Sequence, residues 1–200
     1  KAMDIRKTVT QHRPFCTEEA KDKQTMLSYL NSFDNLLTRE NEFAHFSASA
    51  WILNSTRTAV LMVYHNIYKS WSWTGGHADG DENLLAVALR EAREETGITT
   101  VRPIVSTSFS LEILGVNGHY KRGKYISSHV HLNLSYLLEA DDSEMLCVKK
   151  DENSGVRWVD IEKAAELSDE PCMRVIYKKL NDRFLSGFDK ECKSGLDVIL

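Results

Sequence analysis

The chain has 200 residues, 42% of them hydrophobic and 27% charged, with ten glycines and three prolines. That composition belongs to a folded globular protein long enough to bury a core, and it excludes a disordered, collagen-like or membrane-embedded polypeptide. A formal net charge of -4 advertises no basic surface for polymeric nucleic acid or for an anionic membrane.

In chain order, the opening "KAMDIRKTVTQHRPF" has no apolar run of the signal-peptide kind, and no later stretch reaches transmembrane length. A cytoplasmic protein is expected. The four cysteines, Cys16, Cys147, Cys172 and Cys192, are scattered, with no CxxC pair or metal-ligand spacing, so reduced thiols are expected. Thr17 reads as an N-cap followed by Glu18 and Glu19. Met26, Leu27, Leu30, Phe33 and Leu37 then recur at helical spacing. Residues 1–40 are therefore expected to be a helical extension on a main domain at 41–187.

"FAHFSASAWIL" (43–53) alternates, with Phe46, Ala48, Ala50 and Ile52 on one face and His45, Ser47, Ser49 and Trp51 on the other. "AVLMVYH" (59–65) reads as a buried strand, and a turn at Asn54 and Ser55 makes the two a hairpin. A helix over 84–95 carries Leu84, Leu85, Ala88, Leu89 and Ala92 on its apolar face and stops at Gly97. Residues 101–114 look extended, and "GVNGHYKRGKY" (115–125) reads as a basic, glycine-containing loop. "SSHVHLNLSYLLEA" (127–140) alternates strongly, and "GVRWVD" (155–160) is a short strand whose Asp160 can cap a helix from Ile161. A last helix carries Met173, Ile176, Leu180 and Phe184, and residues 188–200 form a tail without pattern until "VIL". One α/β domain with mixed strand directions fits these elements.

The helix at 84–95 crowds three acids, Glu91, Glu94 and Glu95, into an arc of roughly 100° beside its apolar face. Arg90 stands four residues before Glu94, where the two can pair. A solvated face rich in Glu and Arg is common, yet gathered carboxylates repel one another unless a hard cation such as Mg²⁺ joins them. The residues from Gly76 match G-x5-E-x7-R-E-U-x-E-E-x-G-U throughout: Gly76, Glu82, Arg90-Glu91, Ala92, Glu94-Glu95 and Gly97-Ile98. Seven fixed identities meet by chance on the order of once in a hundred million starting positions.

On this motif the sequence resembles the Nudix hydrolases. The resemblance implies an α/β/α sandwich with a mixed β-sheet, here with the N-terminal helical extension added. It also implies hydrolysis of a diphosphate (phosphoanhydride) linkage by water attack at phosphorus, usually in a nucleoside diphosphate linked to another moiety. Mg²⁺ or Mn²⁺ is the implied cofactor, held by Glu91, Glu94 and Glu95 with the Gly75 carbonyl as a helper. Arg90 and Glu82 would support that set, and Glu91 is also a candidate general base. A homodimer is left open.

Outside the box, Trp71 and Trp73 could stack on a base or belong to the core. His77 follows the glycines. His129, His131, Asn133 and Ser135 share one strand face, and His45, Ser47 and Ser49 share another. Either face could be solvent-exposed, or could point into a cleft and contact phosphate or metal. The basic "HYKRGK" (119–124) could close over an anionic substrate. Two alternatives remain: a nucleotide sensor on the same fold, and an enzyme like isopentenyl diphosphate isomerase. The sensor reading expects glutamates missing from the box, whereas all are present. The isomerase has a cysteine at the position of Gly75, which this chain lacks.

Overall fold

A computed structural model describes residues 4–121 and 123–187. The expected tail at 188–200 and Cys192 lie outside the described residues. The chain forms two compact units. One gathers the described residues within 1–49, 75–88 and 107–136, the other those within 50–74, 89–106 and 137–200.

Ten strands and five α-helices are described. Helix α1 is Ile5–Gln11, its first turn closed by the Asp4 carboxylate accepting from the Arg6 N–H at 2.9 Å. Helix α2 is Thr17–Ser32, and its N-cap is Cys16 rather than the expected Thr17. Cys16 is extended (φ -139°, ψ 174°), so the switch to helix falls one residue earlier than the hydroxyl suggested. Of the apolar series expected to dock this helix, Met26 is fully buried while Phe33 remains exposed. Its acids do much of the docking instead, as described below for Glu19.

Strands β1 (Ala44–Asn54) and β2 (Ala59–His65) form the expected antiparallel hairpin, with Leu53 opposite Val60. Asn54 closes the turn by accepting from the Thr58 and Ala59 N–H groups. Two short strands follow that the sequence pattern did not announce, β3 (Ser70–Ser72) and β4 (Thr74–His77). Helix α3 spans Leu84–Thr96. The expected extended run at 101–114 is β5 (Arg102–Pro103) and β6 (Ser110–Val116), separated by irregular chain. The expected loop at 115–125 is instead a small hairpin of β7 (His119–Lys121) and β8 (Lys124–Ile126). Gly123, at φ +78°, turns it. Strand β9 (His129–Ala140), strand β10 (Asn153–Asp160), helix α4 (Ile161–Ala164), a 3₁₀ turn and helix α5 (Pro171–Leu185) complete the chain. Asp160 caps α4 as expected, accepting from the Glu162 N–H.

Strands pair in the order β10-β2-β1-β9-β5, with β3 on β2, β4 on β1 and β6 on β9. The β2, β5, β6 and β10 pairings are antiparallel. Between β1 and β9 the side chains meet as Ser47 with Asn133 and Ser49 with Ser135. Both numbers rise together, so these two strands run parallel and the sheet is mixed. All eleven residues of β1 are buried, including its polar set.

Each unit has its own core. In the first, Phe46, Met26, Phe109, Leu111, Leu132 and Leu134 are fully buried. In the second, Trp51 stacks on Tyr177 with ring centroids 5.1 Å apart and donates its indole N–H to Asn181 at 3.2 Å. Each fully buried large side chain of this kind stabilises the fold by about 1.5–3 kcal/mol. No described helix is long and apolar enough to cross a membrane.

Candidate active site

Helix α3 begins where Asn83 accepts from the Ala86 N–H at 3.1 Å and ends at Gly97, whose φ of +77° only glycine adopts without strain. A side chain at Gly97 would also meet Cys147 Cβ at 2.9 Å. The buried stripe of the helix is Leu84, Val87, Ala88 and Ala92, so Val87 joins the expected set while Leu85 and Leu89 are only half-buried. The acids follow that stripe at graded depth. Glu95 is buried at 3% exposure, Glu91 is half-buried and Glu94 is exposed.

The segment before β10 is tied to the end of this helix. Asn153 donates to the Glu95 carbonyl at 3.1 Å and the Cys147 N–H to the Thr96 carbonyl at 2.8 Å. The same segment delivers Lys149, whose ammonium lies 3.2 Å from Glu94 and 3.1 Å from Glu152. Glu94 thus has Lys149 as its ion-pair partner, where Arg90 was expected. Arg90 lies 3.7 Å from Glu91. Lys149 and Glu152 were missed in the sequence, because nothing in the run "KKDEN" indicates which distant acid it will meet.

Burial pushes the Glu91 carboxyl above its usual range, and the Glu94 charge pushes it further, against weaker pulls from Lys149 and Arg90. Lys149 is partly buried, which disfavours its charge, yet its bonds to Glu152 and Glu94 leave it a stronger base than usual. The donors here are carboxylate oxygens: the Glu94 charge bears on Glu91, and Glu94 and Glu152 share the Lys149 ammonium. That is the chemistry a hard divalent ion fits.

Gly75 belongs to the other compact unit. A Cβ there would lie 2.7 Å from the Ala48 carbonyl oxygen and 3.0 Å from Ser49. Glycine is therefore required by the close approach of β4 to β1. The cysteine of an isomerase has no room at this position.

The histidines form a second group, within the first unit. His45 comes from β1, His77 from β4, and His129 and His131 from β9. One ring nitrogen from each of His45, His77 and His131 lies within 4.8 Å of the others. His131 Nε2 is 3.2 Å from both His77 Nε2 and His129 Nε2. The His45 ring stacks on His129, centroids 4.9 Å apart. Burial lowers the His131 pKa to about 2, helped by repulsion from His77, His45, His129 and His119. Burial likewise lowers that of His45. The rows below continue this face with Ser47, Asn133, Ser49 and Ser135, which bond to one another and to Glu112. Of the two possibilities for these strand faces, solvent exposure is excluded: His45, Ser47, Ser49, His129, Asn133 and Ser135 are all buried. Glu112 was not singled out in the sequence.

Both tryptophans are engaged in packing. Trp73 meets Tyr177 edge-on at 5.4 Å and donates its backbone N–H to the Tyr177 hydroxyl. Trp71 packs on Tyr64, with the Arg157 guanidinium 4.3 Å over its ring. In the β7–β8 hairpin, His119 is held by the Asn117 carbonyl at 2.9 Å.

The NUDIX domain family model matches residues 44–180. Two curated relatives, the asymmetrical bis(5'-nucleosyl)-tetraphosphatases of Mus musculus and Rattus norvegicus, are each 29% identical, over 116 and 115 residues. Each alignment covers 58% of this chain and 72% of the relative. Among solved structures, the Nudix hydrolase RenU from M. Smegmatis aligns at a TM-score of 0.50 with 18% identity, over 72% of this chain and 87% of its own. That is a likeness of fold.

Proposed function

The chain belongs to the NUDIX domain family as a Nudix-type hydrolase, and on that premise we propose that it uses a divalent cation, Mg²⁺ or Mn²⁺, to cleave a diphosphate linkage. The observation that carries the proposal is the complete set of Glu91, Glu94 and Glu95 on α3, held at graded depth beside Lys149 and Glu152. A sensor would have no need of that full set.

Glu91, Glu94 and Glu95 would hold the cation, with Glu152 as an additional carboxylate. When bound, the cation screens the diphosphate charge and makes water a better nucleophile. The protein's own groups supply the rest. Arg90 partners Glu91. The buried foot of the helix at Glu95 and Thr96 fixes the acids against Cys147 and against Asn153 at the start of β10. Lys149 places a positive charge among the acids, where an anionic substrate would otherwise be repelled.

The substrate class we propose is a nucleoside diphosphate joined to another moiety, a class that includes dinucleoside polyphosphates. It is supported by the names of the mouse and rat relatives. The half-buried Trp73 is the aromatic surface proposed for a base. The test is hydrolysis of a panel of nucleotide diphosphates with Mg²⁺ and then Mn²⁺, with a Glu94→Gln/Glu95→Gln double variant as control. One compound should be cleaved far above the others, with cleavage lost in the variant. A folded protein that binds a nucleotide and cleaves nothing with either metal would overturn the proposal and favour a sensor.

A further inference from the structure

The four histidines are not among the residues proposed to hold the hydrolytic cation. Their ligands are nitrogens, their elements are β1, β4 and β9, and their compact unit is not that of Glu91, Glu94 and Glu95. The hydrogen bonds of two of them, His45 and His129, show which way those rings are wired. The Nδ1 of His45 lies 3.1 Å from the Asn41 carbonyl and that of His129 lies 2.8 Å from the Ser127 carbonyl. A carbonyl only accepts, so both rings carry their proton on Nδ1 and present a bare lone pair at Nε2. Histidines that bind a metal are set in this manner, with the far nitrogen donating to a carbonyl or carboxylate.

The rings of His45, His77 and His131 converge, one nitrogen from each lying within 4.8 Å of the others. His45 Nε2 is buried without a hydrogen-bond partner among the described residues, a loss that costs about 1–3 kcal/mol for a buried polar atom. His131 Nε2 stands 3.2 Å from the Nε2 atoms of both His77 and His129. Nitrogens bound at 2.0–2.1 Å around a tetrahedral ion are about 3.3 Å apart, so the His77–His131 edge of such a polyhedron is already formed. His131 has at most one Nε2 proton to share between two neighbours, and His45 receives none from it in the structure. A cation would answer the buried His45 Nε2 and relieve the crowding of nitrogens around His131 together.

We propose that His45, His77 and His131, with His129 beside them, form a site for a divalent transition-metal ion of the zinc class. Imidazole donors favour Zn²⁺ and its transition-metal neighbours over Mg²⁺, which prefers oxygen. The ion links β1, β4 and β9 by three separate elements of chain, so it braces the strands of this unit. The site stands apart from the proposed hydrolytic one in donor type and in residues, and either could fail without the other.

The experiment uses the full chain without a histidine tag, stripped with chelator and then exchanged into Zn²⁺ or Co²⁺. Metal is counted by mass spectrometry and followed for Co²⁺ by visible absorption. The expected result is about one zinc per chain, retained in the Glu94→Gln/Glu95→Gln variant and not displaced by excess Mg²⁺. A His45→Asn/His131→Asn variant, checked for folding by circular dichroism, should lose that zinc, weakening it beyond the roughly 10–100-fold typical of outer-shell changes. Equal zinc in the histidine variant, or none in the parent, would overturn the site. Should the variant fail to fold, the Co²⁺ form of the parent decides. Paramagnetically shifted imidazole N–H signals from three or four histidines support the site, and their absence from a Co²⁺-loaded chain overturns it.

Discussion

Two buried histidine environments lie in the same compact unit, and they differ in how fully they are answered. His12 sits between Ser108 Oγ at 2.7 Å and Glu19 at 2.8 Å, so both of its ring nitrogens have partners. Glu19 in turn accepts from the Phe15 and Leu111 N–H groups. In the group formed by His45, His77, His129 and His131, His45 and His129 meet carbonyls through Nδ1, and His45 Nε2 is buried with no hydrogen-bond partner among the described residues. The first arrangement is closed and needs nothing from solution. The second, with His45 and His129 buried but His77 and His131 half-buried, is completed by a cation. Burial alone therefore does not separate a structural histidine from a ligand-binding one, whereas the orientation of its bonded nitrogen does.

The largest effect expected from breaking this contrast is at Glu19. A Glu19→Ala change removes the partner of His12 and leaves two strand and loop N–H groups unmet. Urea unfolding should show a loss of about 3–5 kcal/mol, the same with or without zinc. A loss below about 1 kcal/mol would show that the closed group is not what holds α2 in place.

Zinc itself should come next. At a free concentration about 100 times its dissociation constant it should stabilise the parent by about 2.7 kcal/mol, and the Glu19→Ala variant equally. His131→Asn should gain nothing. A zinc gain that survives His131→Asn would mean the ion acts elsewhere.

A smaller change is expected at Gly75. A methyl group there meets the Ala48 carbonyl oxygen at 2.7 Å, so Gly75→Ala should cost about 1–3 kcal/mol. Because β4 also carries His77, zinc binding should weaken in the same variant. Normal zinc affinity alongside lost stability would separate the packing of β4 from the metal site.

The smallest effect serves as an exposed control. The Thr100 and Thr99 hydroxyl and N–H groups bond Glu144 and hold its carboxyl down to about 2 from its usual 4.5. A depressed carboxylate contributes stability above its unfolded pKa and loses it as pH falls. The parent should therefore lose a slight advantage over Glu144→Gln between pH 4.5 and about 2, seen as converging melting temperatures. Curves that stay parallel across that window would contradict the bonding at Glu144.

The local parts of this structure were legible in the sequence. Helix α3, its glycine stop, the β1–β2 hairpin and the alternation of β9 all follow from periodicity and turn chemistry within a few residues. So does the acid cluster, because its members share one helix. The partners of those elements were not legible. That β1 and β9 lie side by side and parallel, closing their polar faces against each other, is a register fact between residues more than eighty positions apart. Lys149 reaches Glu94 from more than fifty residues away and pairs with Glu152 as well, and β4 is too short for a period-two signal. The sequence singled out the histidines that the structure gathers, but the choice between an exposed and an enclosed face required the pairing.

The acids of α2 have one further consequence. Strand β6 uses one side to pair with β9, and on its other side the N–H groups of Leu111 and Ile113 are taken by Glu19 and Asp22. Two carboxylates thus stand where another strand would dock, and they repel any incoming carbonyl. A chain beginning at residue 41 would bare those donors and offer a ready template for self-association. The N-terminal helices thus cover an edge of β6 that would otherwise be open to strand pairing.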